Sequence, residues 1–188
     1  MNTLEAIFQR RTIRKFKQTE IPSEHLYTLV DAARLAAFGG NVQPLRFAIV
    51  TDPQMRETVF SATQWAAYLP DGAPKEGERP MAYILVYADQ TVKEDCGVDA
   101  GAAVTNILLA AQELGLGSCW IGSLKRVFLR QALQVPEDMK ILYAVALGYP
   151  AQQSCTADYE GSWKYYLDAE QTLHVPKLSR EEVLLQEF

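Results

Sequence analysis

Leu4, Ile7 and Phe8 recur at the spacing of one helical face, and Asn2 with Glu5 three residues on has the form of a capping box. Together they predict a first helix running into the basic residues that begin at Arg10. A second helix is predicted after Ile21-Pro22, with Ser23 as its cap, Leu26, Leu29, Val30 and Ala33 as its buried stripe, and fraying near Gly39-Gly40. Phe47 to Val50 is a short apolar run of β-formers and reads as a strand. Asp52-Pro53 behind it supplies a cap and a first-turn proline for a helix through Met55, Val59 and Ala62. Pro70 to Pro80 is dense in proline, glycine and charge and reads as an exposed loop, after which Tyr83 to Tyr87 forms a second buried strand. Val98 to Leu114 is the longest predicted helix. Its alanines and Gly101 make it slim, which places it at the centre of the core or at a subunit interface, and Gly115 is its stop. A strand over Ser118 to Ile121, a helix over Val127 to Leu133 and a strand over Ile141 to Leu147 follow. No core pattern then returns until Ser179, which with Glu182 makes a second capping box before Val183, Leu184 and Leu185. The order is that of an α+β or α/β protein, with helices expected to outnumber strands.

The 188 residues suit one domain, with residues 1–150 as its core and 151–188 as an extension. That extension carries Trp163, Tyr165 and Tyr166 without a core pattern, so it is expected to wrap a partner subunit rather than fold on itself. A formal charge of -5 argues against nucleic acid as a partner, since neutralising phosphates needs a surplus of Lys and Arg. The opening residues lack a basic leader with an apolar stretch, and no later segment is long and apolar enough for a membrane span, so a cytoplasmic location is expected. Cys96, Cys119 and Cys155 are odd in number and form no C-x-x-C pair, and only His25 and His174 accompany them. Neither a disulfide framework nor a metal site is indicated.

Three stretches remain that packing does not explain. Arg10-Arg11-Thr12-Ile13-Arg14-Lys15-Phe16 clusters four cations and a hydroxyl at a helix end. This suits either a phosphate, through charge-assisted bonds, or a solvated turn favoured by the helix dipole. In Phe38-Gly39-Gly40-Asn41-Val42-Gln43, paired glycines permit close backbone approach to a ligand and two amides offer both donor and acceptor. A plain helix stop would look the same. Gly115-Leu116-Gly117-Ser118-Cys119-Trp120-Ile121-Gly122-Ser123 is glycine-rich, but Ser123 stands where a P-loop needs Lys, and the run leads from helix to strand. Cys119 within it reads as a small core residue, and no hydrolytic triad or paired carboxylate stands out.

In order and spacing these stretches, with D-A-G-A-A-V-T-N-I-L-L-A-A and the G-Y-P close, resemble the FMN-dependent nitroreductase family over essentially the whole chain. The resemblance implies an α+β, three-layer α/β/α sandwich around a mostly antiparallel sheet of four to five strands, with the C-terminal arm exchanged in a homodimer. It implies Arg10, Thr12 and Arg14, with Arg11 nearby, at the phosphate, ribityl chain and N1/O2 edge of FMN. Phe38, Gly39, Gly40, Asn41 and Gln43 would approach the flavin, some from the opposite subunit. Gly122, flanked by Ile121 and Ser123, would present its amide to N5, and Gln64 would lie at the pyrimidine end. Lys177, or failing it Arg180, would be the C-terminal cation at the phosphate. No side-chain acid or base is required, because NADH or NADPH delivers hydride directly to the flavin, which passes it in ping-pong fashion to a small flat acceptor such as a nitroaromatic or quinone. Reductive dehalogenation, other flavin chemistry or a non-catalytic flavin-binding role are the alternatives on the same fold. Departures from the family pattern are Thr12 for Ser, Phe38 for a smaller residue and Leu45 for Trp. The 70–80 loop and the segment around Trp163 stand out as a lid over the flavin.

Overall fold

The computed structural model describes residues 2–188. Helix α1 (Thr3–Gln9) starts on the Asn2/Glu5 capping box, and α2 (Ser23–Arg34) follows. Ser23 is the first helical residue rather than the cap: Pro22 holds that place, and no side chain caps the helix. The chain continues through β1 (Leu45–Val50), α3 (Pro53–Ser61), β2 (Ala82–Asp89), α4 (Gly97–Glu113), β3 (Gly117–Ile121), α5 (Arg126–Ala132) and β4 (Met139–Gly148). Asp52 caps α3 by accepting from the Gln54 and Met55 amides, with Pro53 at the first turn, and Gly115 (φ 71) ends α4 in the left-handed conformation.

Strands β1 to β4 form one antiparallel sheet in the order β1-β2-β4-β3. β2 is buried along its whole length because both of its faces are covered. Ile84, Val86 and Ala88 face α2 and α4, while Tyr83, Leu85 and Tyr87 face a second cluster with Val59, Leu129, Ile13 and Phe16. Period-two alternation thus divides one apolar run between two cores, giving the expected α/β/α layering. The slim face of α4 packs Ala100, Ala103 and Ile107 into the first core, and the Asn106 side chain donates to the Ala32 carbonyl of α2 at 3.0 Å.

One apolar stripe is left uncovered, and the expectations for the extension and for the balance of helices and strands are corrected. The α1 stripe is not buried within this chain: Leu4, Ile7 and Phe8 are exposed, and Ala6 alone is covered. The extension does fold on its own chain. Strands β5 (Ser154–Asp158), β6 (Tyr166–Leu167) and β7 (Leu173–Lys177) form a second sheet in the order β5-β7-β6, with Leu173 fully buried. These strands alternate too weakly to be read from sequence, and with them strands outnumber α-helices seven to six among the described residues. Ser179 and Glu182 cap α6 (Arg180–Val183) reciprocally, and Leu184, Leu185 and Phe188 are exposed.

Candidate functional site

Residues 10–17 leave α1 extended and lie against the outer edge of β3. Thr12 bridges Ser118, the Ile13 amide donates to the Ser118 carbonyl at 2.9 Å, and Phe16 bridges Pro150. Extended geometry alternates side chains, so burial of Ile13 turns its neighbours Thr12 and Arg14 to the other face. The approach is possible because Gly117 and Gly148 face each other across β3 and β4 and present no side chains where Ile13 and Phe16 pass.

Among the described residues, no carboxylate lies within ion-pair distance of Arg10, Arg11 or Arg14. Arg10 is half-buried, and burial followed by the adjacent Arg11 charge holds its pKa below the usual guanidinium value. Arg11 folds back to donate to the carbonyls of Arg10 and Phe8, satisfying the C-terminal end of α1, yet its Nε is buried without a partner. Arg11 thus serves the helix end, while Arg10 and Arg14 have no counter-charge among the described residues. The Arg14 backbone amide donates to Gln152 Oε1 at 3.2 Å, and its guanidinium lies 4.5 Å from the centre of the Tyr165 ring. Tyr165 in turn packs on Tyr68 at 5.1 Å. A cleft of about 420 Å³ opens beside Arg14, lined also by Lys15, Pro70, Gly72, Lys75 and Gln152. The 70–80 loop and the tail singled out from sequence therefore meet at Arg14, and Tyr165, not exposed Trp163, makes the contact.

At the far end of β3, Ile121 is buried and leads into Gly122 and Ser123. Gln64 joins them: its amide donates to the Ser123 carbonyl at 3.1 Å, and Ser123 Oγ donates to Gln64 Oε1 at 2.7 Å. Arg126 fixes the Gly122 carbonyl at 2.9 Å. Cys119 lies within the second core, and burial pushes its thiol up to about 11, so it is a packing residue.

The Phe38–Gln43 stretch lies elsewhere. It forms a 3₁₀ turn over Gly39–Asn41 at the β1 edge of the sheet, with Gly40 (φ 62) and Asn41 (φ 54) in left-handed conformations. The Gly39 amide donates to Oδ1 of Asp99 at 3.2 Å, and Lys93 Nζ contacts Oδ2 at 2.6 Å. Asp99, 2% exposed in the first turn of α4, thus clamps the turn, a role that its place in an apolar helix pattern did not signal. From β1 to the residue 10–17 segment there are four strand spacings, about 19 Å. One chain therefore does not bring the glycine turn and the arginines together. Lys177 ends β7 and Arg180 begins α6, both exposed, and among the described residues no hydrogen bond or ion pair joins either to Arg10 or Arg14.

The Lys93 hydrogen bond is the main reason the Asp99 carboxyl titrates below the usual carboxylate range, and the same bond raises Lys93. A depressed carboxylate stabilises the fold above its unfolded pKa and loses that contribution as pH falls through its folded value. Asp99→Asn is expected to lower the melting temperature at neutral pH, with the gap from the parent protein closing on acidification. A gap that is constant with pH would show that the clamp is not ionic.

The nitroreductase family model matches residues 7–149. The chain belongs to the nitroreductase family. A relative from Archaeoglobus fulgidus, provisionally named an NADH dehydrogenase/NAD(P)H nitroreductase, is 35% identical over 158 residues, which are 80% of this chain and 86% of the relative. A provisionally named nitroreductase of Desulfovibrio desulfuricans, solved in complex with FMN, superimposes with a TM-score of 0.74 at 28% identity, covering 100% of this chain and 98% of its own. The NADPH:FMN oxidoreductase of Vibrio harveyi, solved with NAD+, superimposes with a TM-score of 0.65 at 28% identity over 81% of this chain and 70% of its own. The four-stranded antiparallel sheet between helical layers is the nitroreductase fold.

Proposed function

We propose that this nitroreductase-family chain is an FMN-dependent oxidoreductase that takes hydride from NADH or NADPH and passes it to a small flat electrophile, a nitroaromatic or quinone, in a ping-pong cycle. The observation that carries the reading is the partly buried pair Arg10 and Arg14, which have no carboxylate partner among the described residues. Cations held out of water without counter-charges favour a bound anion, and the phosphate tail of FMN provides one. Bound FMN would supply the ring that receives hydride and hands it on.

The chain's own residues provide binding and charge. Arg10 and Thr12 would hold the phosphate and ribityl chain, and Arg14 would supply a fixed cation to offset the negative charge that the ring gains on reduction. Gly122, beside the buried Ile121, would offer a backbone amide to the ring, and Ser123 and Gln64 are held as one unit by their mutual bond. The glycine turn, with Phe38, Gly39, Gly40, Asn41 and Gln43, comes from a second subunit, since in one chain it lies at the opposite sheet edge. The exposed stripe of α1 and the exposed Leu184, Leu185 and Phe188 give such a homodimer its apolar contacts, with residues 179–188 as the crossing arm that carries Arg180 towards the partner's phosphate site, while Lys177 stays at the end of β7 on its own chain.

Purified protein should be yellow or take up FMN, bleach on anaerobic titration with NADH or NADPH, and recover its absorbance on adding a quinone. A colourless protein that does not bind FMN refutes the reading. Deleting residues 179–188 is expected to convert a dimer into a monomer by light scattering, and a truncated protein that stays dimeric removes the arm from the interface.

A further inference from the structure

The small sheet of the extension holds a constellation unrelated to the flavin reading. Cys155 on β5 and His174 on β7 are direct partners in a parallel pair, and Tyr166 on β6 is opposite His174 on its other side. Cys155 Sγ lies 3.5 Å from His174 Nδ1, and His174 Nε2 lies 2.8 Å from Asp168 Oδ2. The other carboxylate oxygen, Oδ1, accepts the Thr172 amide at 2.8 Å, so a tight turn fixes Asp168. Tyr166 stacks on the imidazole at 5.0 Å with an interplanar angle of 5°. The groups facing the thiol are therefore His174, with Asp168 and Tyr166 behind it.

This order specifies proton positions. The His174 and Thr172 bonds keep the Asp168 carboxyl below its ordinary range, so it accepts as a carboxylate and His174 Nε2 carries hydrogen. Nδ1 is then free to take the Cys155 proton. This is nucleophile, base and orienting carboxylate in sequence, the logic by which a thiol becomes a thiolate. The three groups cannot converge on one metal ion, because Cys155 and Asp168 address opposite nitrogens of the ring. Cys155 and His174 are only partly buried, so a small reagent can reach them. Cys96 and Cys119 are buried in the two cores and have no such partners.

We propose that Cys155 is an activated thiol, with His174 as its base and Asp168 as the group that orients the base, and that it reacts with hydroperoxides. The thiolate attacks the terminal peroxide oxygen, an S–O bond forms, and the O–O bond breaks. The departing alkoxide or hydroxide takes the proton that His174 received from the thiol. The sum is thiol plus hydroperoxide giving sulfenic acid plus alcohol or water, with sulfur oxidised by two electrons and the peroxide reduced. An external low-molecular-weight thiol then returns the sulfenic acid to a mixed disulfide, releasing water. Peroxide is favoured over an acyl substrate because this step needs only a thiolate and a proton relay, with no oxyanion donors.

The test uses full-length protein and mass spectrometry of the peptide containing Cys155. Iodoacetamide at neutral pH should alkylate Cys155 about tenfold faster than in His174→Gln, with Asp168→Asn between them, and about tenfold faster than the same residue in urea-unfolded protein. Hydrogen peroxide followed by dimedone should place the sulfenic-acid adduct on Cys155, with none in Cys155→Ser and a tenth as much in His174→Gln. The urea comparison needs no variant to fold. Equal alkylation rates in native and unfolded protein, or an adduct confined to Cys96 and Cys119, would overturn the proposal. Because flavin reduction by NADH is read separately, loss of one result leaves the other intact.

Discussion

Arg14→Ala is expected to weaken FMN binding by about tenfold to a hundredfold. Loss of one charge-assisted bond costs about 1.5–3 kcal/mol, and 1.4 kcal/mol is a factor of ten. The flavin potential should become more negative in the same variant, because a neutral side chain no longer offsets the charge gained on reduction. Two controls separate this from a general loss of structure. Arg14→Lys keeps the charge and loses the planar face set against Tyr165, so it should recover the potential more fully than the affinity. Arg11→Ala removes a group whose terminal nitrogens are committed to the carbonyls of Arg10 and Phe8, so it should cost helix stability more than flavin. FMN fluorescence titration reads the affinity, and an unchanged dissociation constant for Arg14→Ala would move the phosphate site away from this segment.

The parts of this protein that could be read from its sequence are those whose signal is local. The capping box at Asn2, the Asp52-Pro53 helix start and the stop at Gly115 depend on backbone groups a few residues away, and each forms where its residues predict. β2 was legible because a run apolar on both faces has few places to go except the centre of a sheet. Other features depend on distant contacts. Pairing of Cys155 with His174 requires a parallel register between segments separated by a reversal of chain, which periodicity does not encode, so each looked solitary in sequence. Asp99 likewise gains its meaning only when α4 starts beside Gly39. The exposed face of α1 shows the converse: its stripe was correctly periodic, but periodicity does not say whether the covering surface belongs to the same chain.

Gly117→Val should damage the flavin site without altering any residue assigned to FMN. A Cβ built on Gly117 would lie 2.8 Å from Ile13 Cγ2 and 2.9 Å from Ile13 Cβ, and one on Gly148 would lie 2.8 Å from Phe16 Cβ. These are atoms close to the backbone of residues 10–17, so a small rotamer change does not relieve the clash, and β-branched valine is itself stiff. Such overpacking costs about 1–3 kcal/mol, and its relief requires the segment to lift from β3, carrying Arg10, Thr12 and Arg14 with it. A melting temperature lowered together with FMN affinity is the expected result. Adding Ile13→Ala to Gly117→Val makes room for the new side chain, so the double variant should bind FMN better than Gly117→Val alone even though it has lost a buried isoleucine. By contrast, a Cβ on Gly101 meets nothing within 4 Å in the middle of α4, so Gly101→Ala should stabilise the fold by about 0.5–1 kcal/mol through backbone entropy. If the double variant binds FMN no better than Gly117→Val alone, the close approach at Gly117 is not what holds the arginines in place.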